Sequence, residues 1–215
     1  MSVMERAFWN TPYLSSLDAR VLSIDGRDVV ISPTIFFAES GGQESDKGCI
    51  NRIEVTQATV VDERIIYRLA EDPDFAVSDL VSVEIDWPRR YALMRLHFAA
   101  EIVLEFFYKK FPDLEKIGAH IGQHKARIDF SLEGNVSQYF PEILQGVEHL
   151  VAAGLPIESR FTDTKCLRRC WYIKGFSEVP CGGTHLRTTG EVGRIRLKRN
   201  NIGAHKERVE IYLVD

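Results

Sequence analysis

The chain has 215 residues and a net charge of −4, with 45% hydrophobic and 27% charged residues. That balance excludes a disordered chain, and the length suits one large domain or two small ones with a real core. Charges break every apolar run well short of the ~20 residues a membrane helix needs, and the overall acidity argues against a general nucleic-acid coat.

Residues 1–10 carry Glu5 and Arg6 and no apolar stretch ending in a small-residue cleavage site, so no signal peptide is expected. The four cysteines, Cys49, Cys166, Cys170 and Cys181, are few for this length. They read as reduced thiols or ligands in a cytoplasmic protein rather than as a disulfide frame.

Residues 1–88 read as a small antiparallel β-barrel. Residues 20–24 and 28–32 alternate around an Asp25-Gly26 turn, a hairpin signal. Residues 50–61 and 64–69 give a second strand pair, and 80–85 alternate before Trp87-Pro88. Between them lies a loop with Gly41 and Gly42, where positive φ and a close backbone approach are available. Gln43 is expected at its tip.

From Trp87 the period changes. Residues 89–110 contain no Gly or Pro, and Leu93, Leu96, Ala100, Val103, Leu104 and Phe107 recur at helical spacing. Phe111-Pro112 ends the run. His97 and Glu101 therefore lie one turn apart on one helix face. Residues 118–130 read as turn-rich strand carrying His120 and His124, with 127–130 the best strand. Residues 141–153 make a second helix, closed by Gly154 with Pro156 beyond it. Residues 157–161, 170–174, 193–197 and 207–214 are strand candidates. The fold class is α+β: a barrel over 1–88, then helices packed on a mainly antiparallel sheet over 89–215.

Two stretches carry the chemistry. Cys181-Gly182-Gly183-Thr184-His185 sets a thiol and an imidazole four residues apart, and the helix supplies His97 and Glu101. Zinc takes four such donors in a tetrahedron, so His97, Glu101, Cys181 and His185 read as one metal site. A rival set joins Cys166 and Cys170 to Cys181 and His185. If residues 166–170 are extended, those two thiols lie about 13 Å apart at strand rise, too far to share one ion; if they form a turn, the rival stands. Residues 187–208 hold seven basic side chains against Glu191 and Glu207. Such a stripe seats a phosphate backbone or simply faces solvent.

These residues also carry a resemblance. Cys181-Gly-Gly-Thr-His185 followed by Thr188-Thr-Gly-Glu-Val-Gly193 resembles the editing domain of alanyl-tRNA synthetase and its free-standing relatives, the AlaX editing proteins. Asp86-Trp-Pro-Arg-Arg90 leading to His97, Lys125-Ala-Arg-Ile-Asp-Phe130, Lys174-Gly-Phe176 and the Ser40-Gly-Gly-Gln43 loop match in the same order, so the resemblance spans nearly the whole chain. In the family the helical motif is usually His-x3-His; here Glu101 takes the second place, as a ligand or as a base beside the metal. A second departure is Ser40, where the family often has glycine.

The resemblance implies a trans-editing deacylase. It would hydrolyse Ser-tRNA(Ala), and Gly-tRNA(Ala) as well, at one zinc ion per chain, for translation fidelity and without ATP. Its partner would be the acceptor end of tRNA(Ala), with no membrane or DNA involved. Cys181 is assigned as ligand rather than nucleophile. Glu101, Thr184 and His120 are the expected catalytic residues. Gly41, Gly42, Gln43, Arg194, Arg196, Lys198 and Arg199 are expected on the tRNA. Two other readings remain open: a zinc-containing tRNA-binding module without hydrolysis, and a metal-dependent hydrolase of small esters or amides.

Overall fold

The computed structural model describes residues 4–163 and 167–214. The chain divides into two units, Met1–Tyr91 and Ala92–Asp215, just beyond the boundary read from the sequence and inside one helix. No helix among the described residues is long and apolar enough to cross a membrane.

The first unit opens with a single turn, α1 (Ala7–Asn10). It continues as β1 (Ser16–Asp25), β2 (Asp28–Ser32), β3 (Gly48–Ile50), β4 (Ile53–Val61), β5 (Arg64–Leu69) and β6 (Leu80–Ile85). These strands close into an antiparallel barrel in the order β1-β2-β5-β4-β3-β6. Alternation drives the closure: Ile65, Tyr67 and Leu69 of β5 and Val81, Val83 and Ile85 of β6 face inward with Val29, Ile31 and Ile50. Gly26 turns β1 into β2 at φ 56°. Asp62 and Glu63 turn β4 into β5 at φ 46° and 65°, a left-handed pair with no glycine to announce it.

The loop after β2 folds back on itself. Ser40 and Gln43 exchange backbone hydrogen bonds of 3.2 and 3.0 Å around Gly41 and Gly42, at φ 61° and 85°. Gln43 is 1% exposed, so the expectation of a glutamine displayed at the tip does not hold; Ser40 and Gly41 are exposed there instead. Arg90 anchors the loop from α2 (Trp87–Lys110). It forms a bidentate pair with Asp46, in which both side chains are fully buried, and donates to the carbonyls of Ile35 (2.5 Å) and Pro12 (3.0 Å). Arg89 adds Glu44 at 2.7 Å and the Ser45 carbonyl at 2.9 Å.

The second unit is built on the rest of α2 and on α3 (Phe140–Ala153), with β7 (Glu115–Ile121) and β8 (Ala126–Ser131) between them in the chain. Then come β9 (Glu158–Asp163), β10 (Arg168–Ile173), β11 (Ser177–Pro180), β12 (Arg194–Gly203) and β13 (Lys206–Val214). They form a three-stranded sheet, β11-β10-β9, and a four-stranded sheet, β12-β13-β8-β7, both antiparallel. Residue 118 is interior to β7, so the turn-rich reading of 118–130 resolves into a hairpin. The α2 side chains from Leu93 to Phe107 are buried on several faces, and Phe107 packs on Phe130 of β8 at 5.0 Å. Gly146 of α3 lets that helix meet α2: a Cβ there would sit 2.5 Å from the Phe106 ring.

Candidate metal centre

The donor atoms come from two elements whose positions are separately fixed. α2 holds His97, 6% exposed, between the buried Leu96 and Phe98. The segment after β11 carries Cys181 to His185 and is tied to β10 twice. Cys181 N donates to the Arg169 carbonyl at 2.9 Å, and Arg169 Nη1 donates back to the Gly183 carbonyl at 3.2 Å.

Neither Gly182 nor Gly183 takes a positive φ. What the double glycine supplies is proximity: a Cβ on Gly183 would lie 2.5 Å from His97 Cε1, whereas one on Gly182 would meet nothing within 4 Å. The main chain passes against the imidazole at a distance only glycine permits.

Three donors converge. His97 Nε2 and His185 Nε2 lie 3.1 and 3.2 Å from Cys181 Sγ, and the three donor atoms are all within 4.8 Å of one another. Ligands at 2.0–2.3 Å from a tetrahedral ion are ~3.3–3.8 Å apart, so the nitrogen–sulfur separations here fall just short of that range, and two nitrogens with a sulfur are a donor set that suits zinc. Ser159 Oγ of β9 stands 2.7 Å from His185 Nδ1, fixing the ring with Nε2 toward the sulfur. Glu101 is a neighbour rather than a member of the mutually close three. Its Oε1 is 3.8 Å from His97 Nε2, and its Oε2 accepts from Trp171 Nε1 at 3.3 Å.

The electrostatics favour neutral groups. Burial pushes the Cys181 thiol up to about 12, and the Glu101 carboxylate adds to the rise. Burial also lowers His97, and holds His185 well below the ordinary imidazole range with help from His97 and Arg169. The imidazoles thus offer lone pairs without first losing a proton, and only the thiol must deprotonate to ligate.

The other expected residues are dispersed. Thr184 is buried at 1% exposure. His120 is half-buried on β7 and faces Arg127 of β8. Cys170 is buried in β10 with its sulfur 3.4 Å from Glu178 Oε1, outside the donor group, and Cys166 lies outside the described residues. Arg194, Arg196 and Lys198 alternate along the exposed face of β12. Arg199 points to the other face and forms a bidentate pair with Glu207 at 2.5 and 2.6 Å, in the role of an internal strut. Arg169, Ser159 and Trp171 escaped the sequence reading, because a polar side chain on a short strand gives no local sign of what it faces.

The family model described as the threonyl and alanyl tRNA synthetase second additional domain matches residues 169–210, which contain Cys181 and His185. The chain is 30% identical over 217 residues to the alanyl-tRNA editing protein AlaX-M of Pyrococcus horikoshii, covering 99% of each. It is 29% identical over 229 residues to AlaX-M of Saccharolobus solfataricus, covering 95% of this chain and 97% of that one. Alanine–tRNA ligase of Methanococcus maripaludis is 27% identical over 231 residues, which span 98% of this chain and 26% of the ligase.

Proposed function

The chain belongs to the family of AlaX-M alanyl-tRNA editing proteins, and from that membership we propose that it is a deacylase of mischarged tRNA(Ala), removing serine and glycine at a zinc ion. The observation that carries this reading is the buried convergence of His97, Cys181 and His185. An imidazole–imidazole–thiolate set suits zinc, and three protein ligands leave one position open, the pattern of a catalytic rather than a structural site. Held by His97, Cys181 and His185, zinc would supply Lewis acidity to the ester carbonyl and to water.

The chain's own residues do the rest. Glu101, which accepts from Trp171 and lies beside His97, is assigned to take a proton from the attacking water. Water adds to the carbonyl carbon, the ester C–O bond breaks, and the proton passes to the departing ribose oxygen. Thr184 is assigned to the substrate's amino acid, and His120, which faces Arg127 on the outer side of its sheet, to the tRNA. Gly41 and Gly42 with neighbouring Gln43, and Arg194, Arg196 and Lys198 of β12, are assigned to the tRNA. Arg199 contributes only by holding β12 in place. The need for such an enzyme is physical: an alanine pocket cannot strongly reject the smaller glycine or the hydroxyl-bearing serine, so a second sieve must remove them.

The test is release of amino acid from Ser-tRNA(Ala) and Gly-tRNA(Ala), with Ala-tRNA(Ala) as control, alongside zinc content. Wild type should bind one zinc and release serine. Cys181→Ala with His185→Ala should lose both properties. Glu101→Gln should keep zinc and lose about 100-fold in kcat, within the range of general-base effects. Zinc loss in Glu101→Gln would make that residue a ligand instead. Tight tRNA binding with no release would reduce the protein to a binding module, and turnover of small esters without tRNA binding would make it a simpler hydrolase.

A further inference from the structure

Charge on the four-stranded sheet is sorted by face. Facing residues on adjacent strands share a side of a sheet, and the registers place Arg194, Arg196 and Lys198 of β12 opposite Val214, Tyr212 and Glu210 of β13. The next strand sets Arg127 against Glu210 and Asp129 against Arg208. The opposite side carries Leu197, Val209, Ile211, Ile128 and Phe130, all buried. One side is therefore core, with the Arg199–Glu207 pair as a mutually neutralised exception, and the other is a grid of ions.

Within that grid the two signs lie at different depths. Glu210 and Asp129 are 4% and 6% exposed, at the bottom of the layer. Glu210 accepts from Lys125 Nζ at 2.5 Å and from the Tyr212 hydroxyl at 3.0 Å, with Lys198 Nζ 3.9 Å away. Asp129 accepts from Arg208 at 2.6 and 2.9 Å and also from Arg127. The Arg196 guanidinium lies over the Tyr212 ring at 4.2 Å, and Arg194 and Arg196 are exposed. Six cations thus stand above two sunken carboxylates. Lys206 and Glu115, which flank Ser131 at the far end, offset one another. A face with this surplus, on a protein of net charge −4, is a local reversal of sign.

From this arrangement we infer that the outer face of β12-β13-β8 is a docking surface for the phosphodiester backbone of the tRNA body, reaching well past the β12 residues alone. The inference rests on the tRNA reading above. The carboxylates below are buried from a polyanion, yet they hold Arg127, Arg208 and Lys125 in place before it arrives. Alternate residues along a strand repeat at about 6.7 Å and adjacent strands at about 4.8 Å, so the cations form a two-dimensional lattice suited to successive phosphates. The surface reads charge and not sequence, so it supplies affinity and steering, while the ester is processed elsewhere.

The test compares wild type with Arg194→Gln/Arg196→Gln/Lys198→Gln, and with Arg52→Gln as a neutralised exposed cation on the barrel. Fluorescence anisotropy with uncharged tRNA gives Kd across salt concentrations, and Ser-tRNA(Ala) hydrolysis gives KM and kcat. Expected for the triple variant are a Kd and KM at least tenfold higher, an unchanged kcat, and a slope of log Kd on log salt smaller by about 2, at ~0.7–0.9 per phosphate contact. Arg127→Gln, judged after its melting curve shows a folded protein, should move Kd in the same direction. Arg52→Gln should match wild type. Active enzyme whose triple variant keeps the wild-type Kd and salt slope overturns the surface and leaves the deacylase reading intact. Wild type that binds tRNA through these residues but releases no amino acid supports the surface and removes the deacylase. Loss of binding to phosphatidylserine vesicles with tRNA binding untouched overturns it in favour of a membrane.

Discussion

Gly183 and His97 form the tightest contact of the centre. A methyl group at residue 183 would have to displace the imidazole that carries one of the three donors, and the main chain behind it is pinned by Arg169. Gly183→Ala should therefore weaken zinc binding at least tenfold in a chelator competition, while Gly182→Ala, with open space around its Cβ, should leave it unchanged. Equal effects from the two would mean that chain flexibility, not clearance, is what the glycines provide. The sequence made the pair visible but not its service. A double glycine reads as a turn maker, and clearance becomes apparent only when the partner from α2 is in place. Ser159 was not legible at all, because nothing in a strand segment says that its hydroxyl will face a histidine ring.

The Arg90–Asp46 pair does its work between elements. It joins the first turn of α2 to the loop that contains Gly41 and Gly42, and both side chains are out of water. Removing one partner leaves a buried charge alone, so Asp46→Ala should cost about 3–5 kcal/mol of unfolding free energy in urea titration. The double change Asp46→Leu/Arg90→Met should cost clearly less, since no orphan charge remains. A double variant as damaged as the single one would show that the hydrogen bonds to the Ile35 and Pro12 carbonyls carry the stability instead. The helix itself was plain from its period, and so were many of the strand segments, though not their order within the sheets. Its two arginines entered only as part of a family motif, with no sign of their partners, because an ion pair spanning 44 residues leaves no mark on local pattern.

Across the whole molecule, acidity acts through groups whose proton affinity changes on folding. In the metal-free protein His97 and His185 bind protons less readily than in the unfolded chain. Stability should therefore fall as pH drops below the ordinary imidazole value of ~6.5, by up to ~1.4 kcal/mol per pH unit for each group. Cys181 keeps its proton up to about 12 when folded, against 9.0 for a free thiol, so stability should fall again above that lower value. Urea titrations of chelator-treated protein at pH 5, 7.5 and 10 should give their maximum at the middle value. A flat profile would mean that the cluster is wetter than its geometry suggests.

One further property follows from the 84 residues that separate His97 from Cys181. At ribosomal rates of about 5–20 residues per second, roughly 4–17 s pass between the synthesis of the first donor and that of the second. The barrel has its own hydrophobic core, drawn from residues that precede His97, so it can fold while that interval runs. During the same time His97 waits on a nascent helix without Cys181 or His185, the two donors it meets in the folded unit. Any metal ion that these donors share would thus be captured late in the life of the chain, only after synthesis has passed Cys181.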